Sequence, residues 1–295
     1  MNHTNLWSRL ESVLNGPSLR VVACSGGVDS LLLATVAHRL DAGRTQVAHA
    51  VGPAVPEAAT RRVQRWAAQE NWDLQLVNAG EFEDPQYLAN PVNRCFYCKS
   101  HLYQSLGRIR DVLDPSGVLM SGTNTDDLQE FRPGLQAAEL AQVRHPFVEA
   151  QFSKTQIREL AREMGLPFAE LPASPCLASR LYTGTPVSAP VLEVIDWAES
   201  LIRERTGWNV VRCRVQQDVM RIEVEAPSAF VEFPELLEEV AARACRSPAI
   251  RHVEIDSEPY RSGRAFVPPN PLEAEASGHT RLSRAMRESA DFKPA

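Results

Sequence analysis

No run of this sequence is apolar for long enough to cross a bilayer, which excludes a helical membrane anchor. The opening residues, MNHTNLWSRLESVL, lack the basic and apolar regions of a secretory signal, so the chain reads as cytoplasmic. Positive charge is not in excess: 31 Lys and Arg stand against 37 Asp and Glu, a net −6. No global field then draws in a phosphate backbone, and no nucleic-acid partner is expected. The Gly-Lys-Ser/Thr ending of a Walker loop and the spaced glycines of a dinucleotide fingerprint are both missing. Cysteine is sparse, six residues in all. In a reducing compartment these are not disulfides but catalytic, metal-binding or buried thiols. No second CxxC or Cys/His pair completes a structural zinc site with Cys95 and Cys98. What remains is a 295-residue soluble composition, 44% hydrophobic and 23% charged, long enough for two domains.

The informative stretch is Val21 to Leu31, VVACSGGVDSL. Val21 to Cys24 reads as a short buried strand, Ser25-Gly26-Gly27 breaks it, and Asp29-Ser30 opens an apolar, helix-patterned segment. Two adjacent glycines let the backbone turn tightly and approach a ligand. The amides of Gly26, Gly27 and Val28, with the hydroxyls of Ser25 and Ser30, then converge beside a helix N-terminus, where anions and phosphate above all bind. The plainer reading is a strand-to-helix turn with an Asp-Ser cap. Both serines, both glycines and the aspartate together in strand–loop–helix context favour phosphate. SGGVDS resembles the PP-loop of ATP pyrophosphatases, which split ATP between its α and β phosphates and adenylate a carboxylate or carbonyl. The resemblance implies Asp29 beside magnesium and the phosphates, and Ser25 and Ser30 on phosphate oxygens.

Strand and helix patterns alternate through the first part of the chain. Helix Asn5 to Leu14 precedes the first strand. Strand Gln46 to Ala50, helix Pro56 to Asn71, strand Asp73 to Asn78, helix Phe96 to Leu113 and strand Val118 to Ser121 follow. Such alternation predicts a parallel sheet covered by helices, with ligands at the carboxyl ends of its strands. His49 and Ala50 end the second strand. A histidine there is more often packed in a core, but PP-loop enzymes keep the adenine nearby, so both are nucleotide-pocket candidates. Gly122-Thr123-Asn124-Thr125-Asp126-Asp127 ends the last strand in another sharp turn. It resembles the superfamily's second nucleotide motif, making Gly122 and Asp126 candidates for ATP or magnesium. Helix FSKTQIRELAREMGLP, capped by Ser153, resembles one whose Lys154 and Arg158 face the site; a solvated charged face is the default alternative. Beyond Thr185 the order becomes helix, strand, strand, helix, strand, a small α+β domain. The expected fold is therefore α/β. A parallel-sheet PP-loop domain of the adenine nucleotide α-hydrolase type spans 1–182, a smaller α+β domain spans 187–263, and 264–295 reads as a mobile tail.

Cys24, Cys213 and Cys245 read as inert, buried thiols. Cys95 and Cys98 form a CxxC flanked by Arg94 and Lys99, a spacing shared by zinc, redox and iron–sulfur sites. Cys176 follows a proline in a loop, with Arg180 near enough to favour a thiolate. SGGVDS, NRCFYCKSHLY, GTNTDD with its downstream RPG, SPCLASR, VRCRV and EPYRSG together resemble the LarE-type ATP-dependent sulfur transferases. These make the pyridinium bis-thiocarboxylate nucleotide of the nickel-pincer cofactor used by lactate racemase. The resemblance runs from about Asn5 to Gly263.

It implies ATP and Mg2+ as cofactors and a small-molecule nucleotide as substrate; a homo-oligomer is compatible with it. Cys176 attacks an adenylated carboxylate as a thiolate, and cleavage of its Cβ–S bond leaves a thiocarboxylate on the substrate and dehydroalanine on the protein. In members with two further cysteines, a [4Fe–4S] cluster carries the sulfur instead, here on Cys95, Cys98 and Cys176. Cys95 and Cys98 match the second pattern, so three thiolates and one open coordination site are the preferred picture, with sacrifice of Cys176 as the alternative. By the same resemblance Ser179 and Arg180 lie beside Cys176, and Arg212 and Arg214 grip the substrate phosphate from one strand face. Glu199 and Glu223 fall near the family's acidic positions, with surface placement as the default. A tRNA thiolase and a non-catalytic nucleotide-binding module are the rival readings; pyrophosphate release from ATP separates the last from the others.

Overall fold

The computed structural model describes residues 4–129 and 132–266. The first helix, α1 (Thr4–Leu14), buries Leu6, Leu10 and Leu14, spaced four apart on one face. It leads into β1 (Arg20–Ala23), whose arginine is buried at the foot of the sheet. There Arg20 Nε donates to Leu14 O at 2.9 Å and Nη1 to Thr45 Oγ1 at 3.2 Å. Next comes α2 (Val28–Leu40), largely apolar and accordingly buried from Val28 to Ala37 except at Asp29. Then follow β2 (Thr45–Ala50), α3 (Glu57–Glu70), β3 (Asp73–Val77), the short α4 (Pro85–Leu88), α5 (Arg94–Leu113) and β4 (Val118–Ser121). All four strands are parallel, in the order β3-β2-β1-β4, with Ala23 opposite Ala48 and Ser121. The α/β class expected from the alternation is what forms.

That strand order decides where a ligand can sit. From β1 the chain steps outward through β2 and β3, then returns to the other side of β1 for β4. The crevice at this reversal, outside the carboxyl ends of β1 and β4, is where open parallel sheets bind ligands. The turns after these two strands are SGGVDS and GTNTDD.

Three more helices close this layer: α6 (Pro133–Leu140), α7 (Pro146–Glu149) and α8 (Lys154–Glu163). The first two were not anticipated. The third is entered through a complete capping box, Ser153 accepting from Gln156 N and Gln156 accepting from Ser153 N. A second, three-stranded sheet follows. It is made by α9 (Ala189–Thr206), β5 (Val211–Gln216), β6 (Val219–Val224), α10 (Pro234–Ala244) and β7 (His252–Ile255). Its order is β5-β6-β7, β5 antiparallel and β7 parallel to β6.

The apolar core under the second sheet does not begin at the expected linker. It takes in Leu177, Ala178 and Leu181, together with Ala54 from the loop after β2 and Tyr87 of α4. Leu181 also makes a parallel bridge to Val215 of β5. The segment carrying Cys176 is thus held between the two sheets. Most of 264–295, read from sequence as a tail, lies outside the described residues. Among the described residues no helix is long and apolar enough to cross a membrane.

Candidate functional site

The turn after β1 is shaped by its two serines. Ser30 Oγ accepts from Ser25 N at 3.1 Å, lies 3.1 Å from Ser25 Oγ and donates to Gly27 O at 3.1 Å. Helix α2 begins at Val28 with Gly27 as its cap, so the Asp-Ser cap of the plainer reading is absent. Gly26 has φ +82° and presses on α3: a Cβ there would meet Ala59 O at 3.0 Å and Val63 Cγ2 at 3.1 Å. Gly122 lets the end of β4 rest on the start of α2, where a Cβ would lie 2.9 Å from Ser30 N. The two strand-end turns therefore touch, backbone to backbone.

Acidic and basic groups gather at this contact. Asp29 pairs with Lys154 Nζ at the head of α8, while its other oxygen, Oδ1, is buried with no hydrogen-bond partner among the described residues. Burial pushes the Asp29 carboxyl up, Lys154 draws it down, and the negative charge of Asp127 adds to the rise. A divalent cation there would offset both upward effects, and a free carboxylate oxygen is the donor it takes. Asp126 is more committed: its carboxylate accepts from Lys154 N at 3.0 Å and so caps α8. Asp127 pairs with Arg132 at 2.8 Å and accepts from Asn124 N. Lys154 faces the site as the resemblance implied. Arg158 does not; it donates to Ala169 O and Leu171 O and ties down the turn after its own helix.

At the first sheet one candidate is committed elsewhere and one residue was not anticipated. His49 is 1% exposed, with Nδ1 2.7 Å from Cys24 O and Nε2 3.0 Å from Thr60 Oγ1. Both ring nitrogens are used, burial lowers its pKa, and the imidazole is a core strut and not a wall of a nucleotide pocket. Ala50, half-buried at the strand end, stays available. Arg62 of α3 went unnoticed in the sequence. Its Nη1 donates to Gly26 O at 2.8 Å, and burial alone lowers its pKa, so it brings an unneutralised positive charge to the glycine turn.

The cysteines occupy the same edge of the sheet. Cys176 is exposed at the start of a 3-10 turn over Leu177–Arg180, held where Leu177 N donates to Ala54 O at 2.8 Å. Cys95 and Cys98 lie in the first turns of α5. Arg94 joins the two segments, its Nη1 donating to Ala178 O at 2.9 Å. The thiols sense one another. Burial, then the negative charge of Cys176, raises Cys95 against the pull of Arg94 and Lys99. Burial pushes Cys98 up to about 12, Lys99 opposing and Cys176 adding. Cys95 is solvent-exposed, and the protein packed around it still raises its thiol.

Among the described residues no three His, Cys, Asp or Glu side chains surround a position for a single metal ion. A multi-iron cluster sets a different requirement, since each thiolate binds its own iron. Three mutually sensing thiols beside Arg94 and Lys99 supply a donor set of the right chemistry and charge for such an anionic group.

Around Cys176 the polar framework is buried. Arg180, 2% exposed, holds Glu199 with two hydrogen bonds of 2.9 and 3.0 Å and donates to Pro175 O, Cys176 O and Ser179 Oγ. It fixes the cysteine's loop from behind. The surface placement expected of Glu199 and Glu223 is wrong: they are 1% and 0% exposed. Glu199 also binds Arg203 and Cys213 N, and Glu223 binds Arg214 Nε at 2.8 Å. Arg212 and Arg214 do share a face, their guanidinium carbons 5.6 and 5.8 Å from the centroid of the Tyr260 ring. They differ in availability. Arg214 is consumed by Glu223, Ser179 O and Arg261 O. Besides the Tyr260 ring, Arg212 donates to the carbonyls of Val211 and Ala173, and burial followed by the like charge of Arg180 lowers its pKa against the pull of Glu199. Of the two, Arg212 is the one left short of negative charge.

No family model matches the chain. Individual proteins do. An uncharacterized protein of Synechocystis is 37% identical over 250 residues, 83% of this chain and 90% of that protein. An uncharacterized protein of Methanocaldococcus jannaschii is 27% identical over 205 residues, 70% and 77% of the two chains. The pyridinium-3,5-bisthiocarboxylic acid mononucleotide synthase of Lactiplantibacillus plantarum is 30% identical over 246 residues, 82% of this chain and 87% of that enzyme. Identity at that level, sustained over most of both sequences, makes this chain a member of the pyridinium-3,5-bisthiocarboxylic acid mononucleotide synthase family, the LarE type.

Proposed function

We propose that the protein is an ATP-dependent sulfur transferase of the PP-loop superfamily. It adenylates a carboxylate of a pyridinium-3,5-dicarboxylate mononucleotide, releases pyrophosphate and converts the acyl-adenylate to a thiocarboxylate for the nickel-pincer cofactor. The observation that carries the reading is the shared edge: the SGGVDS turn, with Asp29 Oδ1 unpartnered, follows the carboxyl end of β1, Cys176 is tied to the loop after β2, and Cys95 and Cys98 open the helix that leads into β4.

In this reading Ser25, Gly26, Gly27, Val28 and Ser30 hold the departing phosphates, with Gly122 bringing the second turn against them. Asp29 holds magnesium, and Lys154 keeps that carboxylate ionised and aimed. Arg62 supplies charge to the leaving pyrophosphate. Arg212, stacked on Tyr260, takes the phosphate of the substrate nucleotide. A carboxylate is a poor electrophile, and AMP gives its carbon a good leaving group. The attacking sulfur comes from the recess of Cys95, Cys98 and Cys176. If it is Cys176 Sγ, a thioester forms and AMP departs. Removal of the Cα proton then expels the substrate as thiocarboxylate and leaves dehydroalanine. A [4Fe–4S] cluster on the three thiolates, when bound, supplies a transferable sulfide and spares Cys176.

The test uses anaerobically purified full-length protein with Mg–ATP and the dicarboxylate mononucleotide. AMP and pyrophosphate are the expected products, formed only when the carboxylate is present. An intact mass lowered by the elements of hydrogen sulfide, mapped to Cys176, marks the sacrificial route. Bound iron that is lost on Cys95→Ala, with an unchanged protein mass after turnover, marks the cluster route. No AMP with this substrate sinks the proposal.

A further inference from the structure

One carboxylate beside the cysteine-bearing segments has no part in the chemistry above. Glu81 opens a 3-10 turn, Glu81–Glu83, that follows β3 and packs on α4 and α5. The residue is 7% exposed, yet its side chain makes no hydrogen bond or ion pair among the described residues. A carboxylate so deeply buried is ordinarily paired, because an uncompensated charge forfeits its hydration. A glutamine would fill the same place at less cost, so packing does not account for the charge.

Two contacts fix where Glu81 stands. On one side it rests on the turn after β2, where a Cβ at Gly52 would lie 3.5 Å from Glu81 Oε1. The same turn holds the Cys176 segment, Leu177 N donating to Ala54 O at 2.8 Å. On the other side, Asp84 is one turn on from Glu81 and meets His101 Nε2 at 2.9 Å. His101 in turn is three residues on from Cys98, on the same face of α5. Glu81 is thus bracketed by the two segments that carry the thiols. The electrostatics agree: burial, opposed by Lys99, raises Cys98, and the charges of Cys176 and then Glu81 add to it. The neighbouring acids are spent, Asp84 on His101 and Glu199 on Arg180 and Arg203.

The chemistry of the substrate supplies the missing partner. The attacking sulfur must come within about 3–3.5 Å of the carbonyl carbon, and that carbon is bonded directly to the pyridinium ring. The positive charge of the ring is therefore carried in among the thiols, where Arg94 and Lys99 already contribute charge of the same sign. We propose that Glu81 is the counter-charge of the pyridinium ring, a substrate-binding residue that selects a cationic ring over a neutral one of similar size. The identity of the substrate rests on the sulfur-transfer reading; the unpaired carboxylate rests on the geometry.

The test compares full-length wild type with Glu81→Gln, which keeps the size of the side chain and removes its charge. The melting temperature of the variant is expected to be no lower, since an uncompensated buried charge is lost. The probes are nicotinamide mononucleotide, whose ring is a pyridinium cation, and its reduced form, whose dihydropyridine ring is neutral. Both keep the ribose phosphate, so they differ in the charge of the ring. Titration calorimetry is expected to show wild type favouring the cation roughly tenfold or more, and the variant favouring it no more than about twofold. A preference that survives in the variant overturns the proposal. So does a wild type that binds the two probes alike, or binds neither. A wild type that forms no AMP with the dicarboxylate mononucleotide sinks the sulfur-transfer reading alone, because the charge preference would still stand.

Discussion

Lys154 joins α8 to the glycine turn through a single ion pair with Asp29. Removing the ammonium leaves Asp29 with burial and the charge of Asp127 both favouring its protonated form, the one that cannot bind magnesium. Lys154→Ala is therefore expected to raise the KM for Mg–ATP roughly tenfold or more, the loss of one charge-assisted hydrogen bond. Steady-state kinetics at saturating carboxylate checks this, and an unchanged KM would remove Lys154 from the site. Glu199 carries a different kind of prediction. Burial alone would push its carboxyl up, but hydrogen bonds from Arg180 and the charges of Arg180, Arg203 and Arg212 outweigh it and hold Glu199 below its usual 4.5. The ionised form is thus favoured by folding. Its stabilisation is complete above about pH 4.5 and is lost as pH falls through the lower, folded value. Glu199→Gln is expected to cost about 3 kcal/mol at neutral pH, because it leaves the buried Arg180 without its counter-charge. The gap between variant and wild type should narrow as urea titrations move from neutral pH to below pH 4.5. Parallel stability curves across that range would refute the account.

At the scale of elements, the close approach of β4 to α2 is the contact on which the nucleotide crevice depends. A methyl at Gly122 would meet backbone atoms, Ser30 N at 2.9 Å and Asp29 C at 3.0 Å, and backbone cannot swing aside as a side chain can. Gly122→Ala is expected to part the two turns and weaken Mg–ATP binding by roughly a hundredfold, as a displacement of about 1 Å does at a reacting site. Calorimetric titration with a non-hydrolysable ATP analogue reads this directly. Ser153→Ala, which removes only the capping box of α8, is expected to cost about 1 kcal/mol by thermal unfolding. These local features could be read from sequence because each is encoded within a few residues. The strand–glycine–helix turn was legible, and β4 and α5 were placed to within two residues of where they form. The four-residue α7 was not legible, being too short to show a period. Nor was the burial of Glu199 and Glu223. Alternation with apolar neighbours looks the same for a surface carboxylate and for one paired inside, and the partners Arg180 and Arg214 come from other elements. Arg62 and Glu81 escaped for the same reason: their surroundings are made by loops from elsewhere in the chain.

The two sheets meet over a seam that also carries Cys176, so the stability of the whole molecule and the geometry of the recess are linked. Asn90, 1% exposed, rivets that seam. Its Nδ2 donates to Tyr182 O at 2.9 Å and to Thr185 O at 2.8 Å, and its Oδ1 accepts from Arg94. Its backbone accepts from Gly184 N at 2.9 Å. Its φ of +50° is one that asparagine tolerates better than other side chains do. Nearby, Val187 N donates to Leu88 O, and Asp196 of α9 accepts from Glu57 N at the head of α3. With the apolar cluster of the second sheet reaching Ala54 and Tyr87, these ties are expected to make the two sheets open as one cooperative unit. Native-state hydrogen exchange should therefore show β5 and β6 amides opening with free energies close to those of β1 and β2. Asn90→Ala removes three side-chain hydrogen bonds, leaves Thr185 O without its donor and forces alanine into a left-handed conformation, a cost of about 3 kcal/mol. The cost falls on the seam and not on either core. The β5 and β6 amides are then expected to exchange by a separate, lower-energy opening while β1 and β2 keep their protection. Labelling of Cys176 should accelerate in parallel, since the loop it sits on is clamped between the same two layers. A uniform fall in protection across both sheets would mean that they remain one unit without Asn90. Independent opening already in the wild type would mean that the seam never joined them.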